Sequence, residues 1–159
     1  MKALIIYDDV ASAKDVVAAL KRAAHRVKMG IRWDLKPWRL DILSLPTAGN
    51  EALLEAVDAD IIAFAGPRAS SLPPWLIEWL ECWASLRQVS DAAVAVVGER
   101  DQDFDRTAVR FSRFAKSHGL GLLVENGSAL EHGLASQSFL ESDWRSSIPC
   151  PTEGASATV

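Results

Sequence analysis

The sequence predicts an α/β domain, a doubly wound three-layer sandwich around a five-stranded parallel sheet in the order 2-1-3-4-5. Three observations carry this. Short apolar runs alternate with longer segments of helical periodicity, which leads to parallel strands joined by right-handed crossovers. Three of the runs, Ala3–Tyr7 (ALIIY), Asp60–Gly66 (DIIAFAG) and Ala92–Gly98 (AAVAVVG), are dominated by apolar residues. Strands buried on both faces read in that way. A fourth run alternates apolar and polar residues, as an edge strand with less helix cover can, and this makes strand two an edge.

In chain order, Ala3–Tyr7 is the first strand. Ser12 is placed to cap the helix that follows, with Asp15 three residues on in a capping-box arrangement. Val17, Leu20, Ala24 and Val27 then recur at helical spacing. From Val27 the period becomes two. Val27, Met29, Ile31, Trp33 and Leu35 alternate with polar or small residues, forming a half-buried strand that Pro37 should stop. The stretch from Pro37 to Gly49 reads as irregular. Asn50 is a candidate N-cap for a short helix to Val57, with Leu53, Leu54 and Val57 inward. Asp60–Gly66 is the third strand. Leu72, Pro73 and Pro74 open a strong helix, since proline suits a first turn. Ala92–Gly98 is the fourth strand, and Asp105–His118 reads as a helix with Gly119 at its C-terminal cap. Leu120–Val124 is the fifth strand. Ser128 and Glu131 form a further capping-box pattern with weak periodicity behind it. The expected domain is residues 1–145, and 146–159 (small, polar and proline-containing) is an expected flexible tail.

At 159 residues the chain suits one domain, since single domains run to roughly 100–200 residues. The net charge of −4 weighs against nucleic acid, which usually meets a basic face. The two cysteines, Cys82 and Cys150, lack metal-ligand spacing and suit reduced thiols of a cytoplasmic protein. No stretch reaches the roughly 18 apolar residues a membrane span needs.

The feature that most constrains chemistry is Asp8–Asp9, where the first strand ends. In a doubly wound domain ligands bind at that edge of the sheet. Two carboxylates there attract a cation and repel phosphate. Asp8 and Asp9 are therefore the candidate metal ligands. With Ser12, Arg68, Ser70, Glu99 and Arg100 they form a candidate polar pocket, which Glu125 should also approach. The plainer alternative is a self-compensated charge cluster, with Arg68 or Arg100 pairing Asp8 or Asp9.

The run from Ala59 to Pro67 (ADIIAFAGP), followed by Leu72, Pro73 and a helix, resembles the flavodoxin-like superfamily. With the strand spacing, the likeness covers about Lys2 to Val124. It implies the predicted fold and an FMN site at the strand ends. The site residues do not carry over. Flavodoxins hold the FMN phosphate with a Ser/Thr/Gly-rich loop after strand one; here that loop is Asp8, Asp9, Val10, Ala11, Ser12 and Ala13. Like charges a few ångströms apart cost about 1–4 kcal/mol even near a protein surface. Arg68 to Ser71 offers no aromatic to flank a flavin ring, and Phe104 is the only one after strand four. The acidic pair also looks like the pocket of response-regulator receiver domains, which implies Mg²⁺. Strand three, however, ends in Gly66-Pro67 without a phospho-accepting aspartate, strand four in Gly98-Glu99 and strand five in Glu125-Asn126.

Six tryptophans are present, and Trp75, Trp79 and Trp83 share one helix face at i, i+4 and i+8. They form either a core stripe or the centre of an interface with a second subunit or another protein. Trp33 and Trp38 interleave with Arg32, Lys36 and Arg39, a combination found on nucleic-acid platforms. Trp33 belongs to the inward register of its strand, so nucleic acid is not the expected partner. His25, His118 and His132 show no ligand or catalytic spacing.

The expected function is a non-catalytic binding or regulatory module, with a protein partner or a homodimer and no membrane. No cofactor is predicted; FMN and Mg²⁺ are the groups to test. The alternative is a flavin- or nucleotide-dependent redox protein with an atypical phosphate site.

Overall fold

The computed structural model describes residues 1–26, 30–66, 72–99 and 101–126. The elements run β1 (Lys2–Tyr7), α1 (Val10–Arg26), β2 (Asp34–Arg39), α2 (Leu40–Leu43), α3 (Pro46–Ala56), β3 (Ile61–Ala65), α4 (Pro74–Leu86), β4 (Ala93–Gly98), α5 (Gln102–His118) and β5 (Gly121–Asn126). The five strands form one parallel sheet in the order β2-β1-β3-β4-β5, as predicted. The expected tail, the boundary at residue 145 and the Ser128–Glu131 pattern lie outside the described residues. No described helix is long and apolar enough to cross a membrane.

Successive strand residues point to opposite faces, and each face has its own core. Leu4, Ile6, Ile62, Phe64, Val94 and Val96 meet α3, α4 and α5. Ala3, Ile5, Tyr7, Ala63, Ala65, Ala95 and Val97 meet α1, which contributes Ala13, Val16, Val17, Ala19 and Leu20. Alanines dominate that second face, so α1 can lie close to the central strands. On the first face Phe64 and Phe111 stack with ring centroids 4.5 Å apart.

The edge strand departs from expectation. Alternation placed it over Val27–Leu35 with Pro37 as its stop. Instead β2 spans Asp34–Arg39, and Pro37 lies inside it, in register with Ile5. Residues 30–33 are not strand, and 27–29 lie outside the described residues. An edge strand pairs on one side only, so a missing N–H can face outward without loss. The expected irregular stretch is accordingly the end of β2, then α2 and the first turn of α3. Pro46, not Asn50, leads α3, because its fixed φ suits a first turn. Leu54, expected inward, is 76% exposed; Gly49, Ala52 and Ala56 are the buried residues of α3. These small residues let α3 approach its neighbours.

Gly49 shows what that closeness demands. Glycine to alanine inside a helix normally stabilises by roughly 0.5–1 kcal/mol. A Cβ at Gly49 would sit 2.9 Å from the carbonyl oxygen of Leu43, which is backbone and has little room to yield. Gly49→Ala is therefore expected to lower the thermal midpoint. A raised midpoint would show that α2 moves aside freely.

The helix starts follow their caps. Asp101 accepts the Phe104 N–H at 2.7 Å, so α5 begins at Gln102, ahead of the expected Asp105. Gly119 ends α5 with φ 64°, the left-handed conformation expected of it. The fifth strand is displaced by a residue or two from its expected span. Trp79 and Trp83 are buried, and their indole N–H groups donate to the carbonyls of Gly49 and Ala56, each at 2.9 Å. Both rings are thus committed to holding α4 on α3.

Candidate functional site

The crossovers after β1 and β3 leave on opposite faces of the sheet, α1 on one and α4 on the other. The C-terminal ends of these neighbouring strands therefore form the switch point where doubly wound domains bind ligands. Asp8 and Asp9 follow β1 there, and Gly66 follows β3.

Asp9 turns out to be the cap of α1. Its Oδ1 accepts the Ser12 N–H at 2.9 Å, and its Oδ2 accepts the Ser12 hydroxyl at 2.8 Å. The sequence had suggested Ser12 as the cap with Asp15 as its partner. Capping instead falls one turn earlier, because β1 ends at Tyr7 and the helix starts at Val10. Ser12 becomes a partner of the cap. The backbone N–H of Ser12, then its hydroxyl, holds the Asp9 carboxyl below the usual carboxylate range, with partial burial opposing.

Loss of such a cap costs typically about 1 kcal/mol, so Asp9→Ala is expected to destabilise the domain by that amount at neutral pH. The sign of the pH dependence follows. A carboxyl whose folded pKa is depressed contributes fully above its unfolded value and loses that contribution as pH falls through the folded value. Wild type and Asp9→Ala should therefore differ in denaturant midpoint at pH 7 and converge in strong acid. A difference independent of pH would remove the cap as its cause.

Asp15 joins the site, although it was not among the candidate pocket residues. Burial chiefly raises its pKa; the charges of Asp9 and Glu99 raise it further, while Arg22 lowers it. Its position three residues after Ser12 was the signal available, since i and i+3 share a helix face. Asp15 thus lies within electrostatic reach of both Asp9 and Glu99. Arg68, Ser70 and Arg100 lie outside the described residues. Glu125 is bound elsewhere: Arg22 lies 3.4 Å from one carboxylate oxygen, and Arg26 pairs the other. Among the described residues, no group of three or more His, Cys, Asp or Glu is placed to hold a metal ion.

The floor of the switch point is closely built. Gly66 has φ 60°, and a Cβ there would lie 2.9 Å from the Ser12 hydroxyl oxygen. A Cβ on Gly98 would lie 3.1 Å from the Phe104 ring and 3.5 Å from the Gly66 Cα. Phe104, the one aromatic that could have flanked a flavin from the loop after β4, is buried in the core.

The other candidates are dispersed. Trp75 is half-buried at the start of α4, beside the buried Trp79 and Trp83. Trp38 is half-buried on β2 and donates its indole N–H to Glu55 Oε2 at 2.9 Å. Trp33 precedes β2 and packs against the α1 core. His118 stacks on Phe114, with centroids 4.6 Å apart. The thiol of Cys82 is free and exposed on α4.

Fold and strand end together define a doubly wound α/β domain, compatible with the flavodoxin-like arrangement, whose described switch-point residues include Asp8 and Asp9, with Asp9 capping α1. No protein-family model matches the chain, and no curated protein matches it.

Proposed function

We propose that this chain is a non-catalytic binding or regulatory module of the flavodoxin-like type, in which its own Asp9 carboxylate takes the place of the ligand phosphate. The carrying observation is the pair of hydrogen bonds from Ser12 to Asp9. The N-terminus of a helix is a ready anion site because its first N–H groups lack partners and its dipole favours negative charge. In α1 that role goes to a carboxylate supplied by the same chain. A phosphate arriving there would have to displace Asp9 and would face Asp15 and Glu99 nearby. The closely built floor at Gly66 and Gly98 and the burial of Phe104 support the same reading.

The test is titration calorimetry with FMN and with inorganic phosphate, together with the visible spectrum of the purified chain. The expected result is no flavin band and no heat of binding for either ligand. Asp9→Asn, which removes the charge and keeps the shape, is expected to gain weak phosphate binding. Tight FMN binding by the unaltered chain would sink the proposal and install the redox reading.

A further inference from the structure

The sheet has two edge strands, and they are protected very differently. Native edges are usually blunted by charge or proline, because an exposed row of N–H and C=O groups is a template for another strand. β2 has both devices: Pro37 lies inside it, and Asp34, Lys36 and Arg39 provide charge. Lys36 lies 3.6 Å from Asp34, and Arg39 is 2.8 Å from Asp41, so this edge carries ion pairs along its length.

β5 has no proline and a single charge. Its sequence is GLLVEN, with no basic residue. Leu122 and Val124, on the same side of the strand, are 38% and 43% exposed. Its single ionisable residue, Glu125, is neutralised within the chain by Arg22 and Arg26, and its side chain is only 12% exposed. The edge is therefore apolar and electrostatically quiet. Among the described residues, β5 pairs only with β4.

We infer that β5 is a self-association edge, pairing antiparallel with β5 of a second copy about a two-fold axis through Leu123. The occupant follows from self-complementarity. A two-fold contact uses the same patch on both molecules. About Leu123, antiparallel pairing sets Leu122 against Val124 of the second copy, and Val124 against its Leu122. The exposed apolar side chains of both molecules then cover one another as direct cross-strand pairs. Glu125 faces Gly121 of the second copy, so no two like charges stand opposite. The inference holds whatever the strand-end site binds.

The experiment uses the full chain and sedimentation velocity over a dilution series. The expected result is a reversible rise from one to two chain masses with concentration. Two surface double variants then test the register. Leu122→Lys with Val124→Lys places like charges opposite, as does Leu122→Glu with Val124→Glu. Each alone is expected to lose the doubled mass while keeping the circular dichroism spectrum, and an equimolar mixture of the two is expected to regain it. A chain that stays monomeric at every concentration overturns the inference. Hydrogen exchange would then show whether β5 is covered from within the same chain. A doubled mass that persists in the lysine variant also overturns it and moves the contact elsewhere, for example to α4.

Discussion

Trp83→Ala is expected to lower the unfolding free energy by about 3–5 kcal/mol, the range for deleting a large aromatic from a core. Trp83 is 0% exposed, and its indole N–H donates to the Ala56 carbonyl at 2.9 Å. Alanine removes the ring, leaves a cavity between α4 and α3, and takes from the Ala56 carbonyl one of its two donors, the Ala59 N–H being the other. For a domain of this size a loss that large lowers the thermal midpoint by roughly 6–20 °C. It takes a large part of the stability typical of a domain, about 5–15 kcal/mol. Trp83→Phe separates the contributions. It keeps most of the apolar volume and loses the hydrogen bond, while the Ala56 carbonyl keeps the Ala59 N–H, so its cost should be nearer the roughly 0.5–1.5 kcal/mol of one hydrogen bond. Urea denaturation of the three proteins measures both. Equal midpoints for wild type and Trp83→Ala would show that the ring is not in the core. Trp79, also donating to α3, should behave in the same sense.

Gly66→Ala is expected to cost about 2 kcal/mol, and its comparison with Gly119→Ala is the informative result. Both glycines hold positive φ, 60° at Gly66 and 64° at Gly119. The left-handed conformation alone costs a residue with a Cβ about 1–2 kcal/mol. At Gly119 a Cβ would meet nothing within 4 Å, so only this conformational cost applies. At Gly66 the Cβ also meets the Ser12 hydroxyl oxygen at 2.9 Å. Ser12 cannot swing away freely, because that oxygen donates its proton to Asp9. Gly66→Ala should therefore be the more destabilising of the two, and the difference should shrink in a Ser12→Ala background. Chemical unfolding of the single and double variants reads this coupling. Equal costs at Gly66 and Gly119 would show that the switch point has room to spare.

These two sites illustrate what was legible before any coordinates. The tryptophan helix was visible from i, i+4 and i+8 spacing. Its role was not, because the acceptors for Trp79 and Trp83 lie 30 and 27 residues upstream, in a helix whose start had been misplaced. Gly119 was readable as a cap because a long amphipathic helix led up to it. Gly66 was readable only as a strand end; the lack of room for a Cβ beside Ser12 depends on how β3 lies beside β1. The charges at the strand end show the same limit. Asp8 and Asp9 advertised a cation site, but Asp9 is engaged by the helix it precedes. Glu125, expected near them, is held by arginines 99 and 103 residues away in sequence.

The sequence alone determined the layer order, the parallel sheet and its strand order, and the acidic character of the switch point. These are set by local signals: apolar runs wherever a strand is buried on both faces, helical periodicity between them, and charged residues where a strand meets solvent. Tertiary structure decided the rest. It moved the edge strand past Pro37, because only a strand with one neighbour can dispense with an N–H. It drew α3 against α2 and α4 through Gly49, Ala52 and Ala56, and committed two tryptophans to that contact. It made Asp9 the cap of α1, because the chain bends into α1 two residues after β1 ends and brings the Ser12 N–H and hydroxyl onto one carboxylate. Each of these outcomes depends on which groups meet in space, and that is fixed only when the sheet and its helices pack together.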